Sequence, residues 1–321
     1  VFSDPSRLNS GFEVVQNTSE IYSGEYTPKL PVGGAISGFD LTSTPAPRKK
    51  YAMPSSALKH AIKEWQESRL GVSLRAASPD SVPVVGVSGD AGITAVRLDS
   101  RSIIVARDGW VDSLKQLTAG MHPDLLFTPF GAYELSRVTL PHQMSVWGPN
   151  WYMFADSESW RGRVDDRVAE LSTARLDEVD FELFWHCYGP GSLAAFAVHQ
   201  GDRLIALATV KDRGEPFMEI GVDVLQGVQA SGLGSAVVSA AGTWVLEQGR
   251  LPIATVAPFN VPSTRTLRRV GLEYGMTEMT GVDGPFQVPP QPIGTPLPDA
   301  EIYDYYPDWA MNRSIRPNSD L

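Results

Sequence analysis

Cysteine is nearly absent. Cys187 is the single one in 321 residues, so no intrachain disulfide can form and the disulfide-stapled secreted folds are set aside. The five histidines are scattered, and none sits at a metal-ligand spacing such as His-x-x-x-His with a carboxylate, so no metal is expected. Basic runs are missing as well. Lys and Arg number 27 against 37 Asp and Glu, for a net charge of −10, and no run of five like charges occurs. A nucleic-acid surface needs a basic stripe, so a nucleic-acid partner is not expected. No apolar run approaches the roughly 20 residues of a membrane span. The opening Val-Phe-Ser-Asp-Pro carries neither the basic nor the apolar part of a secretory signal. A reducing cytoplasm is the expected setting. The Gly-x-Ser-x-Gly elbow of serine hydrolases does not occur either.

An apolar content of 42% is enough for a real core, and the length suits two domains. Residues 1–55 are rich in Gly, Pro, Ser and Thr and read as extended or irregular. An N-terminal α+β half follows over 56–156. Leu58, Ile62 and Trp65 share a helix face between Ser56 and Leu70, with Gly71 as its stop. Residues 82–106 read as β structure turning near Asp99-Ser100, and a helix is expected from Trp110 to Ala119. Trp147 to Asn150 has turn chemistry, and Trp151 to Ala155 reads as a strand.

A second module runs over 157–283. Asp177 to Tyr188 is expected to be a helix, with Val179, Leu183 and His186 on one face. Leu193–Val198 and Leu204–Val210 are strands joined by the hairpin signal Gln200-Gly201-Asp202. Phe217 to Val224 is a third strand, and Ser231 to Glu247 a nearly uncharged helix. A strand to Val256, a helix over Val261–Val270 capped by Asn260, and a strand over Leu272–Met279 complete it. From 284 the chain is Pro-rich and then aromatic, which reads as a tail.

The most informative stretch joins the third strand to its helix. Val222-Asp223-Val224 ends the strand; Gln229-Ala230-Ser231-Gly232-Leu233-Gly234-Ser235 then opens the helix. Free backbone N–H groups at such a helix start hold anions, typically a pyrophosphate. The spacing Gln-x-x-Gly-x-Gly in this strand–loop–helix setting resembles the acyl-CoA loop of the GNAT superfamily of N-acyltransferases. Asn260, in Ala257-Pro-Phe-Asn260, matches the Asn that begins the family's second cofactor motif.

The resemblance covers about 157–280. It implies an α/β (α+β) fold with a mixed central sheet flanked by helices, and an N-terminal half that is either an addition or a degenerate second copy lacking the glycine motif. It implies acyl-CoA as co-substrate, acetyl-CoA first, and a small-molecule amine as acceptor. Backbone N–H groups from Gln229 to Ser235 would hold the pyrophosphate. The pantetheine arm would lie where the strand parts from its neighbour at Asp223-Val224, and an N–H near Val222 to Val224 would polarise the thioester carbonyl. Glu219, ten residues before Gln229, stands where many members place the base that deprotonates the amine; a strand carboxylate bridging a neighbour reads equally well.

The chain departs from the family at the acid. The usual Tyr position, seven residues after Asn260, is Leu267. Either Tyr274 substitutes or the thiolate leaves without help. Arg265, Arg268 and Arg269 could meet a CoA phosphate or the acidic helix of an acyl carrier protein, or simply form a solvated face. His186-Cys187 shows no legible acid partner and reads as a half-buried His beside a core Cys. Two alternatives stay open: a non-catalytic acyl-CoA-binding regulator, and an acyltransferase fed by a carrier protein or an aminoacyl-tRNA.

Overall fold

The computed structural model describes residues 54–89, 92–225, 228 and 232–284. The expectations for 1–53 and for the tail from 285 onward lie outside these residues. The first element is α1 (Ser56–Leu70). Ser55 Oγ accepts the Leu58 N–H at its start, and Gly71, at φ 65°, ends it in the left-handed conformation. Then come β1 (Val84–Val87), β2 (Ile93–Leu98) and β3 (Arg101–Arg107). The turn between β2 and β3 falls on Asp99, at φ 53°. Helices α2 (Val111–Thr118), α3 (Pro123–Leu126) and α4 (Pro129–Thr139) lead to β4 (Met144–Phe154).

The second half begins with β5 (Ala169–Glu170). The hairpin strands β6 (Ala194–Gln200) and β7 (Arg203–Asp212) follow, then β8 (Phe217–Val224), α5 (Leu233–Glu247), β9 (Leu251–Val256), α6 (Val261–Arg269) and β10 (Glu273–Asp283). Two local expectations need correction. Residues 147–150 do not leave the sheet; they lie within β4, whose register against β10 slips between Glu278 and Thr280, so a bulge absorbs the irregularity. Asp177–Tyr188 is not a helix. A 3₁₀ turn over Thr173–Glu178 gives way to turns. The reason is competition for its N–H groups. Asp180 accepts the Glu182 N–H, Asp223 accepts that of His186 and Thr209 accepts that of Tyr188. Side chains thus satisfy donors that a helix would have given to its own carbonyls.

The strands form one ten-stranded sheet in the order β1-β3-β2-β10-β4-β9-β8-β7-β6-β5. It is mixed: β1 runs parallel to β3, and β8 parallel to β9. Strand β10 follows α6 in sequence but does not lie on β9. Strand β4, from the N-terminal half, is inserted between them and is antiparallel to both. One sheet therefore takes strands from both sides of residue 157, where composition divides the chain. The N-terminal half does not repeat the order of the second, because β3 and β4, on either side of its helices, are separated by β2 and β10.

Helix α1 packs on one face of the sheet, against Tyr152, Phe154, Phe217, Ile253 and Met276. Helix α5 packs on the other, against Met153, Met218, Ile220 and Ala254. Leu58 and Ile62 are each 1% exposed, and burying one such side chain contributes about 1.5–3 kcal/mol. Register places Gly275 on the α1 face, where an added Cβ would lie 3.0 Å from Ile62 Cδ1.

A buried carboxylate fastens α1 to this face. Glu278, on β10, takes two hydrogen bonds from Arg69, at 3.0 and 3.1 Å. Tyr152 donates to it at 2.8 Å and Gln66 at 2.9 Å. Burial and the adjacent carboxylate raise the Tyr152 phenol far above its ordinary value, which keeps it protonated and donating. Removing the carboxylate leaves several donors without an acceptor. We expect Glu278→Ala to cost about 2–4 kcal/mol, read as a lower urea midpoint with an unchanged slope.

Candidate functional site

The site begins where two parallel strands part. β8 and β9 pair only at Phe217–Leu251, Met218–Pro252 and Glu219–Ile253. Beyond this point β8 continues along β7 as far as Val224, while Ile253 to Val256 of β9 pair with β4. The β8 edge from Ile220 to Val224, which includes Val222, Asp223 and Val224, thus leaves a notch toward β9. Its backbone polar groups on that side are not taken up by a β9 ladder.

The notch leads to the start of α5. Gly232 is the cap residue, at φ 81°, and no side chain caps this helix. Its first turn carries no acidic residue, so the positive end of the helix dipole has no counter-charge of its own. The first-turn N–H groups, on Leu233, Gly234 and Ser235, belong to the set that a helix cannot satisfy internally. At Gly234 a Cβ would lie 3.4 Å from Thr266 Cγ2 and 3.5 Å from Val224 Cγ2. Both are ordinary van der Waals distances, so the helix start has room for a small side chain there between β8 and α6. An anionic, extended ligand fits this setting. Gln229, Ala230 and Ser231 lie outside the described residues. Asn260 Oδ1 accepts the Ser263 N–H at 3.2 Å and so caps α6.

Glu219 stands at the vertex of the notch and is 3% exposed. Its Oε2 pairs with Arg213 Nε at 2.9 Å. Its Oε1 accepts from the Thr255 hydroxyl at 2.9 Å, and Thr255 lies on β9 two residues past the last pair. The Tyr188 phenol also bonds to it; burial and the Glu219 charge raise that phenol far above its ordinary value. Both carboxylate oxygens are therefore engaged. Accepting a proton here would weaken the partnership of a largely buried guanidinium.

Two residues on, Gly221 faces the same way. A Cβ there would collide with the His186 carbonyl oxygen and lie 3.1 Å from Cys187 Cα. The 186–188 backbone can pack flush on β8 because this position is glycine. Two residues further, Asp223 accepts the His186 N–H at 2.7 Å and meets His186 Nδ1 at 2.6 Å. This corrects the sequence reading of His186, which found no acid partner. The partner is on another strand, 37 residues away, and no local spacing announces it. Cys187 is inert as a nucleophile: burial and the Asp223 charge push its thiol well up, and Sγ donates to the Leu207 carbonyl at 3.3 Å.

Tyr274 is not beside Glu219. With Gly275 turned to α1, Tyr274 points to the opposite face, its ring 5.6 Å from that of Trp151 and its hydroxyl bonded to Thr277 at 2.8 Å. Burial raises its phenol. Leu267, at the position where a phenol acid was sought, is 2% exposed and part of the core beneath α6. Among the described residues no group of three or more His, Cys, Asp and Glu could hold a metal ion. No helix among them is long and apolar enough to cross a membrane.

No protein-family model matches the chain, and no curated protein matches it. Solved structures do. A protein assigned to the GNAT family from Novosphingobium aromaticivorans is 18% identical, with a TM-score of 0.38, over 45% of this chain and 69% of its own. A GCN5-related N-acetyltransferase from Kribbella flavida is 17% identical, with a TM-score of 0.36, over 47% of this chain and 64% of its own. A GNAT-family acetyltransferase from Colwellia psychrerythraea is 12% identical, with a TM-score of 0.35, over 46% of this chain and 60% of its own. The chain thus spans under two thirds of the last two.

The engagement of Glu219 has a measurable consequence. Glu219→Gln keeps an acceptor for Thr255 but takes the charge away from Arg213, whose side chain is 29% exposed. A loss of about 1–3 kcal/mol is expected. It should appear as a lower melting temperature without any ligand present.

Proposed function

We propose that this chain transfers an acyl group from acyl-CoA, or another pantetheine thioester, to the amine of a small molecule by direct attack. The supporting observation is the parting of β8 from β9 just ahead of the glycine-rich segment and the uncapped start of α5. An extended thioester arm would take the edge that β9 leaves free. Its diphosphate would meet the N–H groups of the loop and the first turn, from Gln229 to Ser235. An N–H of Val222 to Val224 would polarise the thioester carbonyl, where negative charge grows as the amine attacks. Acetyl-CoA is the first donor to try, since the Gln-x-x-Gly-x-Gly spacing from Gln229 to Gly234 resembles the acyl-CoA loop of the GNAT superfamily.

The amine must lose one proton before it attacks and a second after the C–N bond forms. The C–S bond then breaks and the thiolate leaves. A thiol has a pKa of roughly 8–9, so departure needs no dedicated acid. That suits a chain whose Leu267 is core and whose Tyr274 is on the far face. A carrier-protein donor is the second reading, favoured by Arg265, Arg268 and Arg269, which all lie exposed on α6. An aminoacyl-tRNA donor fits less well with a net charge of −10.

Donor binding can be tested by thermal shift. CoA or acetyl-CoA should raise the melting temperature, because it binds the native state. Gly234→Asp should abolish that rise. The unliganded variant should melt near the wild type, since an acidic residue in a first turn suits the helix dipole. An undiminished rise in Gly234→Asp would mean that the anion site lies elsewhere. Turnover is read as thiol release from acetyl-CoA over a panel of amines; tight CoA binding with no release from any of them would favour the regulator.

The unaided departure of the thiolate makes its own prediction. Tyr274→Phe should change the rate by no more than a few-fold. A loss of about 10²-fold with donor binding intact would make Tyr274 the acid.

A further inference from the structure

Resting on the acyl-transfer reading, we infer that His186, held by Asp223, is the group that takes the proton from the incoming amine. A carboxylate can only accept, so the 2.6 Å contact between Asp223 Oδ1 and His186 Nδ1 puts the ring proton on Nδ1. Nε2 is then the free basic nitrogen. It has no hydrogen-bond partner among the described residues. The ring is fixed twice more. Its own backbone N–H is anchored on the other oxygen of Asp223, at 2.7 Å. Trp185 stacks on it with ring centroids 3.5 Å apart.

Position supports the same assignment. Asp223 lies in the part of β8 that β9 has left, between Val222 and Val224, whose N–H groups alternate with its own and turn toward the notch. A base must come within hydrogen-bond reach of the ammonium, directly or through one water. The His186 side chain is 41% exposed, so an amine can approach it and a proton can return from it to solvent. Of the charged groups on this face of β8, Asp223 touches the ring. Glu219, two positions behind Gly221, is held by Arg213, Thr255 and Tyr188. Cys187, next in the chain, is a buried thiol turned to Leu207.

The proton balance closes without another reactant. Nε2 takes one proton from R–NH₃⁺ and passes it to water. The neutral amine forms the C–N bond at the thioester carbon. The second nitrogen proton then goes, through water, to the departing sulfur as the C–S bond breaks. The products are the amide, the free thiol and one proton.

The test uses the full chain, acetyl-CoA and the best amine from the panel. His186→Gln should lower kcat/KM for the amine by about 10²–10⁴-fold near neutral pH. The CoA-induced thermal shift should be retained, which also reports that the variant is folded. The deficit should close as pH rises and the amine deprotonates unaided. His186→Gly should regain at least about tenfold when imidazole is added, because the lost base is returned to its slot. Asp223→Asn, which can still accept the backbone N–H, should lose at least about tenfold through the misdirected ring. A loss below tenfold in His186→Gln, or one that persists unchanged at high pH, overturns the assignment while acyl transfer stands. A wild type that releases no thiol with any amine overturns acyl transfer and His186 together.

Discussion

The site depends on a short stretch of parallel pairing that stops at Glu219. Up to that residue β8 and β9 are one sheet; after it, β8 keeps company with β7 and β9 with β4. The carboxylate at the vertex ties three pieces together. It holds Arg213 from the β7–β8 connection, Thr255 from the diverging strand and Tyr188 from the covering segment. Such a clasp sets the opening of the notch mechanically. The strands can part because each finds a full ladder on its other side, and the parting is held at one place because Glu219 satisfies donors from both flanks of it.

The insertion of β4 supplies one of those ladders, so a strand of the N-terminal half frames the notch. Without β4, the diverging end of β9 would have no partner and β10 would keep only β2, so both would expose edges prone to pair with other chains. The Glu278 cluster works on the same junction, joining α1 through Arg69 and Gln66 to Tyr152 of β4. Compositional punctuation near residue 157 therefore marks a change in the chain's texture and leaves the sheet continuous.

Much of the module was legible because its signals are local. Alternating apolar residues mark β8 to its last residue, Gly201-Asp202 marks the hairpin, and Asn260 marks the start of α6. What stayed hidden depends on distant partners. The order of strands around β4 has no local signature. Asp177–Tyr188 has helix periodicity, but Asp223 and Thr209, far along the chain, take the N–H groups that the helix would have used. The acid partner of His186 was missed for the same reason. One clue was available: Glu219, Gly221 and Asp223 alternate on a strand, so they share a face, and a glycine between two carboxylates there signals a close approach by another backbone.

That alternation also bears on the two roles that the sequence leaves open for Glu219, a base and a carboxylate bridging a neighbour. A group that clasps a vertex must keep its charge and its partners throughout the cycle. A group that receives protons must be open to water and able to change charge without releasing the structure around it. Glu219 is 3% exposed, with both oxygens occupied. His186 is open on one side and braced on the other by the Asp223 carboxylate, 2.6 Å from its Nδ1. With Leu267 part of the core, the proposed acyl transfer would leave to the protein carbonyl polarisation and removal of the amine proton. Five residues of one strand, from Glu219 to Asp223, bring the clasp, the close approach and the anchor of the proposed proton acceptor to the same edge.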